Sequence, residues 1–134
     1  MRKELCLCAG TALADLALKA AFRKFKPRQV VFNHGFAANR LEGHPEAVAG
    51  VSAGMTGFLT AIWLDSIRSK DSSPLKRIGL SLCLGGAVSN TVERIISRRV
   101  TDYLPLGKYV YNLGDFAIYT GSILEAAAEL FQHK

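Results

Sequence analysis

Acidic side chains are few in this chain, and cysteine, proline and tryptophan are fewer still. Eleven Asp and Glu stand against seventeen Lys and Arg over 134 residues, for a net charge of +6. The three cysteines, Cys6, Cys8 and Cys83, are odd in number, lie in apolar runs and show no metal-ligand spacing. They read as small buried hydrophobes. His34, His44 and His133 also lack ligand spacing with the acids, so no metal is expected. A phosphate-cradling glycine loop is missing too, and no cofactor is expected. The basic residues form no continuous stripe. They sit in clusters such as Arg23-Lys24, Lys76-Arg77 and Arg98-Arg99 between apolar segments, which argues against a nucleic-acid partner and for headgroup-level anchors.

What the chain does have is long uncharged runs. Hydrophobic residues make up 49% and charged residues 21%, a composition open to a soluble bundle or a small membrane protein. Distribution separates the two. Residues 47–64 carry no charge over 18 positions, close to the ~20 that span a bilayer. Residues 78–92 form a second uncharged run. The first segment, 5–22, contains Asp15 and Lys19, spaced to pair across one helical turn and expected to face a bundle interior. Arg2-Lys3 ahead of an apolar run also has the outline of a cleavable signal, but Glu4 and the short run argue against that reading.

Four helices are predicted, over 5–22, 47–67, 75–96 and 109–131. The expected fold class is all-α: one integral membrane four-helix bundle spanning 1–134, with a long, partly extended loop between helices 1 and 2. Pro27 stops the first helix and Pro74 can open the third. In the long loop, residues 29–33 have strand-like composition. Gly50-x-x-x-Gly54 and Gly57 predict a close helix–helix approach, and Trp63 an interfacial aromatic. Charge does not orient the bundle. Seven Lys and Arg fall on the side of the termini and nine on the other, so the positive-inside rule gives no cytoplasmic assignment to the termini.

The chemistry concentrates between Gly85 and Asp115. The phrases Asn90-x-x-Glu93 and Asn112-x-x-Asp115 each place an amide beside an acid on a helix face. Glu93 closes the third segment and Asp115 opens the fourth, so a hairpin would bring both acids to one depth. Two close carboxylates share a proton: the ionised one can activate water and the protonated one can donate to a carbonyl oxygen or leaving amine. Asn90 and Asn112 could hold carboxylates or substrate backbone, and Arg94 could pair with Asp102.

These residues resemble the lipoprotein signal peptidases, the type II signal peptidases. The resemblance rests on Gly85-Gly86-Ala87-x-x-Asn90-x-x-Glu93-Arg94, Val100-x-Asp102-Tyr103 and Tyr111-Asn112-x-Gly114-Asp115. Asp15-x-x-x-Lys19 and Phe32-Asn33-x-Gly35-x-Ala37 also match, in order, over nearly the whole chain. It implies a multi-pass protein of the bacterial cytoplasmic membrane, with an active site near the outer leaflet. The implied activity is aspartic-type endoproteolysis, removing signal peptides from prolipoproteins beside a diacylglyceryl-modified Cys. Implied partners are those prolipoproteins and membrane lipids, for a monomeric enzyme. Asp115 and Glu93 would be the catalytic acids, Glu93 standing where the family has Asp. Asn33, Asn90, Arg94 and Asn112 would position substrate, with Asp15 and Asp102 in support. A weakened version of that endopeptidase falls within the same reading; the alternative is a catalytically inactive relative that binds lipidated peptides or membrane helices.

Overall fold

The computed structural model describes residues 1–35 and 40–132; Ala37, Asn39 and His133, named above or in the loop they belong to, lie outside the described residues. Among these described residues four α-helices dominate: α1 (Arg2–Phe25), α2 (Pro45–Arg68), α3 (Pro74–Ser97) and α4 (Leu113–Gln132). Among the described residues four short strands join them: β1 (Val31–Asn33), β2 (Val100–Asp102), β3 (Leu104–Leu106) and β4 (Tyr109–Tyr111). The all-α expectation is thereby corrected. β1 pairs antiparallel with β2, and β3 with β4 in a hairpin whose turn is made by Gly107 at φ 63°.

Local chemistry sets most boundaries. Ser73 caps α3, its hydroxyl accepting the Lys76 N–H at 3.2 Å, and Pro74 occupies the first helical position. Lys26 ends α1 ahead of Pro27, which begins a single 3₁₀ turn through Gln29. The predicted fourth helix started too early. Residues 109–111 are β-prone aromatic and β-branched side chains and form β4 instead. Asn112 stands between strand and helix, its side-chain oxygen accepting the Asp115 N–H at 2.9 Å.

α3 is the central helix and packs on α1, α2 and α4. Its glycines make this possible. A Cβ on Gly86 would lie 2.3 Å from the Gly114 carbonyl oxygen of α4, and one on Gly85 2.6 Å from that of Cys8 in α1. Lower down, Gly79 and Gly121 face each other just as closely. By contrast nothing lies within 4 Å of a Cβ at Gly50, Gly54 or Gly57, so the small-residue phrase on α2 is not what joins the helices. Trp63 also departs from expectation. It is buried, its indole N–H donating to Ser81 at 2.9 Å, because a bundle interior with a hydroxyl on α3 can satisfy that donor. Among the cysteines, Cys8 and Cys83 are buried and free, whereas Cys6 is exposed.

Charged and polar side chains share the interior with a hydrophobic core, and large apolar side chains lie on the surface. Asp15, Lys19, Ser89 and Asn112 have no exposure at all, while Leu13, Phe58, Ile96, Ile123 and Leu130 are each more than three-fifths exposed. α1 and α2 are long and apolar enough to cross a membrane.

Candidate active site

At the sheet end of the bundle the chain reverses sharply. Arg98 caps α3 in the left-handed region (φ 56°, ψ 21°), turning β2 back over the last turn of the helix. This reversal decides which acid meets which partner. Glu93 points toward β2 and α1. It accepts the Thr101 backbone N–H and the Thr101 hydroxyl, both at 2.8 Å. It also pairs with Arg23, and with Lys19 at 3.3 Å. The expected hairpin contact of Glu93 with Asp115 is therefore not what forms. Two cations and a strand amide claim the Glu93 carboxylate, and no contact between Glu93 and Asp115 is made.

Asp102, expected only to support, takes the place opposite Asp115. The two aspartates line one cavity of about 480 Å³ together with Asn33, Arg40, Arg94 and Tyr111. Asp102 is 4% exposed. Burial, with the Asp115 charge behind it, pushes its carboxyl up from an ordinary 3.8 to about 7, against the opposing bonds from Asn112 and Asn33. The two asparagines do hold acids, but not in the pairing expected from the sequence. Asn90 donates to Asp115 across the helix pair (3.0 Å) rather than to Glu93 on its own helix. Asn112 donates its side-chain N–H to Asp102 at 2.8 Å and its backbone N–H to Asp115 at 3.1 Å. Arg94 reaches Ser52 and the Gly35 carbonyl, both at 3.4 Å, and lines the cavity with both aspartates.

Beneath the pair lies a buried polar knot. Lys19 pairs with Asp15 at 2.9 Å and donates to Ser89 and to Asn90, at 3.1 and 2.8 Å. Ser89 donates to the same carboxylate oxygen, Oδ2, at 2.6 Å. The Asp15–Lys19 spacing announced this pair. Ser89 and Thr101 carried no signal of their own, since a lone hydroxyl in sequence has no visible partner; Tyr103 stood out only within its motif, and Arg23 only as a headgroup-level anchor. Gly114 makes room for the knot: a Cβ there would lie 2.7 Å from Asp15 Oδ2. Among the described residues no three His, Cys, Asp or Glu side chains gather as metal ligands would.

A second cavity, about 410 Å³, runs between α2 and α3 and ends at Asn90 and Arg94. Its walls are apolar side chains such as Met55, Phe58, Leu59, Ile62 and Ile118. Arg94 lines both cavities, so the apolar groove adjoins the cavity that holds Asp102 and Asp115. The chain belongs to the signal peptidase II (SPase II) family, whose profile matches residues 8–131. It is 33% identical to the lipoprotein signal peptidase of Rhodococcus jostii over 92% of this chain and 70% of that one. It is also 33% identical to that of Dichelobacter nodosus, over 89% and 81%. A solved bacterial membrane enzyme, 16% identical, superposes with a TM-score of 0.81 over 100% of this chain and 91% of its own.

Proposed function

We propose that the chain is a membrane-embedded aspartic endopeptidase that removes signal peptides from lipid-modified prolipoproteins, with Asp102 and Asp115 as its acid pair. The observation that carries this is their common cavity, with Asp102 raised to about 7 beside Asp115. Family membership supports the substrate class. The apolar exterior around a charged interior supports four membrane spans, because lipid solvates the exposed Leu and Phe while the ions pair inside. This revises the acid assignment: Glu93 is a supporting residue here and not a catalytic one.

In this reading Asp102 carries the shared proton. Asp115, accepting N–H bonds from Asn90 and Asn112, is the base. It takes a proton from a water whose oxygen bonds to the scissile carbonyl carbon, while Asp102 gives its proton to the carbonyl oxygen. The gem-diol then collapses: the C–N bond breaks, and the proton held by Asp115 goes to the leaving nitrogen. A proton from the diol returns to Asp102, so the pair ends as it began. The apolar groove would receive the signal segment, and Asn33 and Arg94 at the cavity edge would hold its backbone.

The test is cleavage of a diacylglyceryl-modified prolipoprotein in liposomes. Asp102→Asn and Asp115→Asn should each lower kcat by roughly a thousandfold or more, as loss of a unit that works as a pair does. Near-native cleavage by Asp102→Asn would defeat the assignment. Binding of substrate with no cleavage by the native chain would favour the non-catalytic reading.

A further inference from the structure

Tyr103 connects the two aspartate-bearing segments, and proton sharing by the pair does not itself call for a hydroxyl there. It follows Asp102 directly in the chain and is 2% exposed. Its backbone N–H donates to the Tyr111 carbonyl at 2.8 Å, beside Asn112. Its ring stacks on Phe22 of α1, with centroids 4.5 Å apart and planes 20° from parallel. At the far end, the hydroxyl donates to Asp15 Oδ1 at 3.0 Å and accepts the Leu113 backbone N–H at 3.1 Å. Leu113 opens α4 two residues before Asp115. One side chain is thus fixed beside Asp102 at its backbone and near Asp115 at its tip.

We propose that the Tyr103 hydroxyl is a positioning group, and that the phenol is a strut of fixed length setting the separation of Asp102 and Asp115. A phenol has only two rotatable bonds, so a ring held at both ends transmits position with little play. Its anchor is itself immobile, because Asp15 Oδ2 is held by Ser89 and Lys19. Burial pushes the Tyr103 phenol up, and the Asp15 charge adds to this, so the hydroxyl stays a donor across the working pH range. Packing alone would need the ring and not the oxygen. The proposal deepens the peptidase reading and rests on it for its kinetic half.

The experiment compares the native chain with Tyr103→Phe, which keeps the ring on Phe22 and deletes one oxygen. In detergent micelles, the titration of Asp102 is followed by NMR of carboxyl-labelled aspartate, and cleavage kinetics are measured beside it. The charged groups facing Asp102 are Asp115 on α4, Lys19 on α1, Arg94 on α3 and Arg40 after β1, and none is altered. With the strut cut, the repelling pair relaxes apart. Asp102 should then titrate lower by roughly one unit. The value of kcat should fall on the order of tenfold or more with KM unchanged. An unchanged titration with unchanged kcat would overturn the proposal. So would a loss of activity that only tracks the folded fraction, read by thermal unfolding. If the native chain cleaves no lipidated prolipoprotein, the peptidase reading fails while the titration still decides the strut. Should Tyr103→Phe not fold, Leu113→Pro removes the same bond from its donor side, at a first helical position that tolerates proline; it should give the same downward shift, and an unchanged titration would overturn the proposal.

Discussion

Glu93 shows how one side chain's partners decide its role. Its carboxylate is shared among Thr101, Arg23 and Lys19, holding β2 against α1 and α3. Glu93→Gln should therefore cost stability first, since Lys19 and Arg23 lose a buried counter-charge. A loss of about 3 kcal/mol or more is expected for breaking such a pair, read as a lowered detergent-unfolding midpoint. Residual cleavage by the folded fraction should separate it from Asp102→Asn. Asp102 gives the pH behaviour. Its folded value, about 7, lies above the ordinary 3.8, so the folded state keeps a proton that the unfolded chain releases. Stability from this group is fully present at acid pH and declines as pH rises from about 4 to about 7. Unfolding midpoints at about pH 5 and about pH 8 should differ in that sense, and Asp102→Asn should flatten the difference. Cleavage should fall along an alkaline limb near 7, as the shared proton is lost.

Among the helices, the glycines separate into two kinds. Those of α3 and α4 meet backbone: a Cβ on Gly86 would sit 2.3 Å from the Gly114 oxygen, with no flexible side chain to give way. Gly86→Ala should force the helices apart at a cost of about 1–3 kcal/mol and reduce cleavage by displacing Asn90 from Asp115. Gly54 on α2 faces open space. Gly54→Ala should be neutral or stabilise by about 0.5–1 kcal/mol, through helix propensity alone. Chemical unfolding of both variants in one detergent checks the pair. Equal effects would mean that α3 and α4 do not meet at Gly86 as described. In sequence the two sets look alike, and Gly50-x-x-x-Gly54 is the more conspicuous. Which glycine meets a neighbour depends on how each helix is rotated in the bundle, and no local pattern encodes that.

For the whole molecule, the relevant contrast is between a polar interior and an apolar exterior. Buried Asp15 and Lys19 are affordable because they pair, and in the proposed membrane setting lipid would solvate the exposed Leu and Phe. Lys and Arg balance leaves orientation open, so labelling must set it. In a Cys6→Ser background, Lys108→Cys in the β3–β4 turn should react with an impermeant maleimide from outside. Lys70→Cys between α2 and α3 should react only after the membrane is opened. The reverse pattern would place the aspartate pair at the cytoplasmic face.

The sequence by itself determined the number of helices, their approximate ends, the pairing of Asp15 with Lys19, and the family. Each of these follows from spacing along one helix, from caps and breakers, or from motif order. Only the tertiary structure decided which acid faces Asp115. The choice between Glu93 and Asp102 turns on the left-handed residue Arg98, which folds β2 back over α3, and on Arg23 and Lys19 arriving from a helix about 70 positions earlier. Partners so distant in the chain become visible only when the helices are packed. The stretch from Gly85 to Asp115 brings Asp102, and not Glu93, into one cavity with Asp115, the geometry on which the proposed acid pair rests.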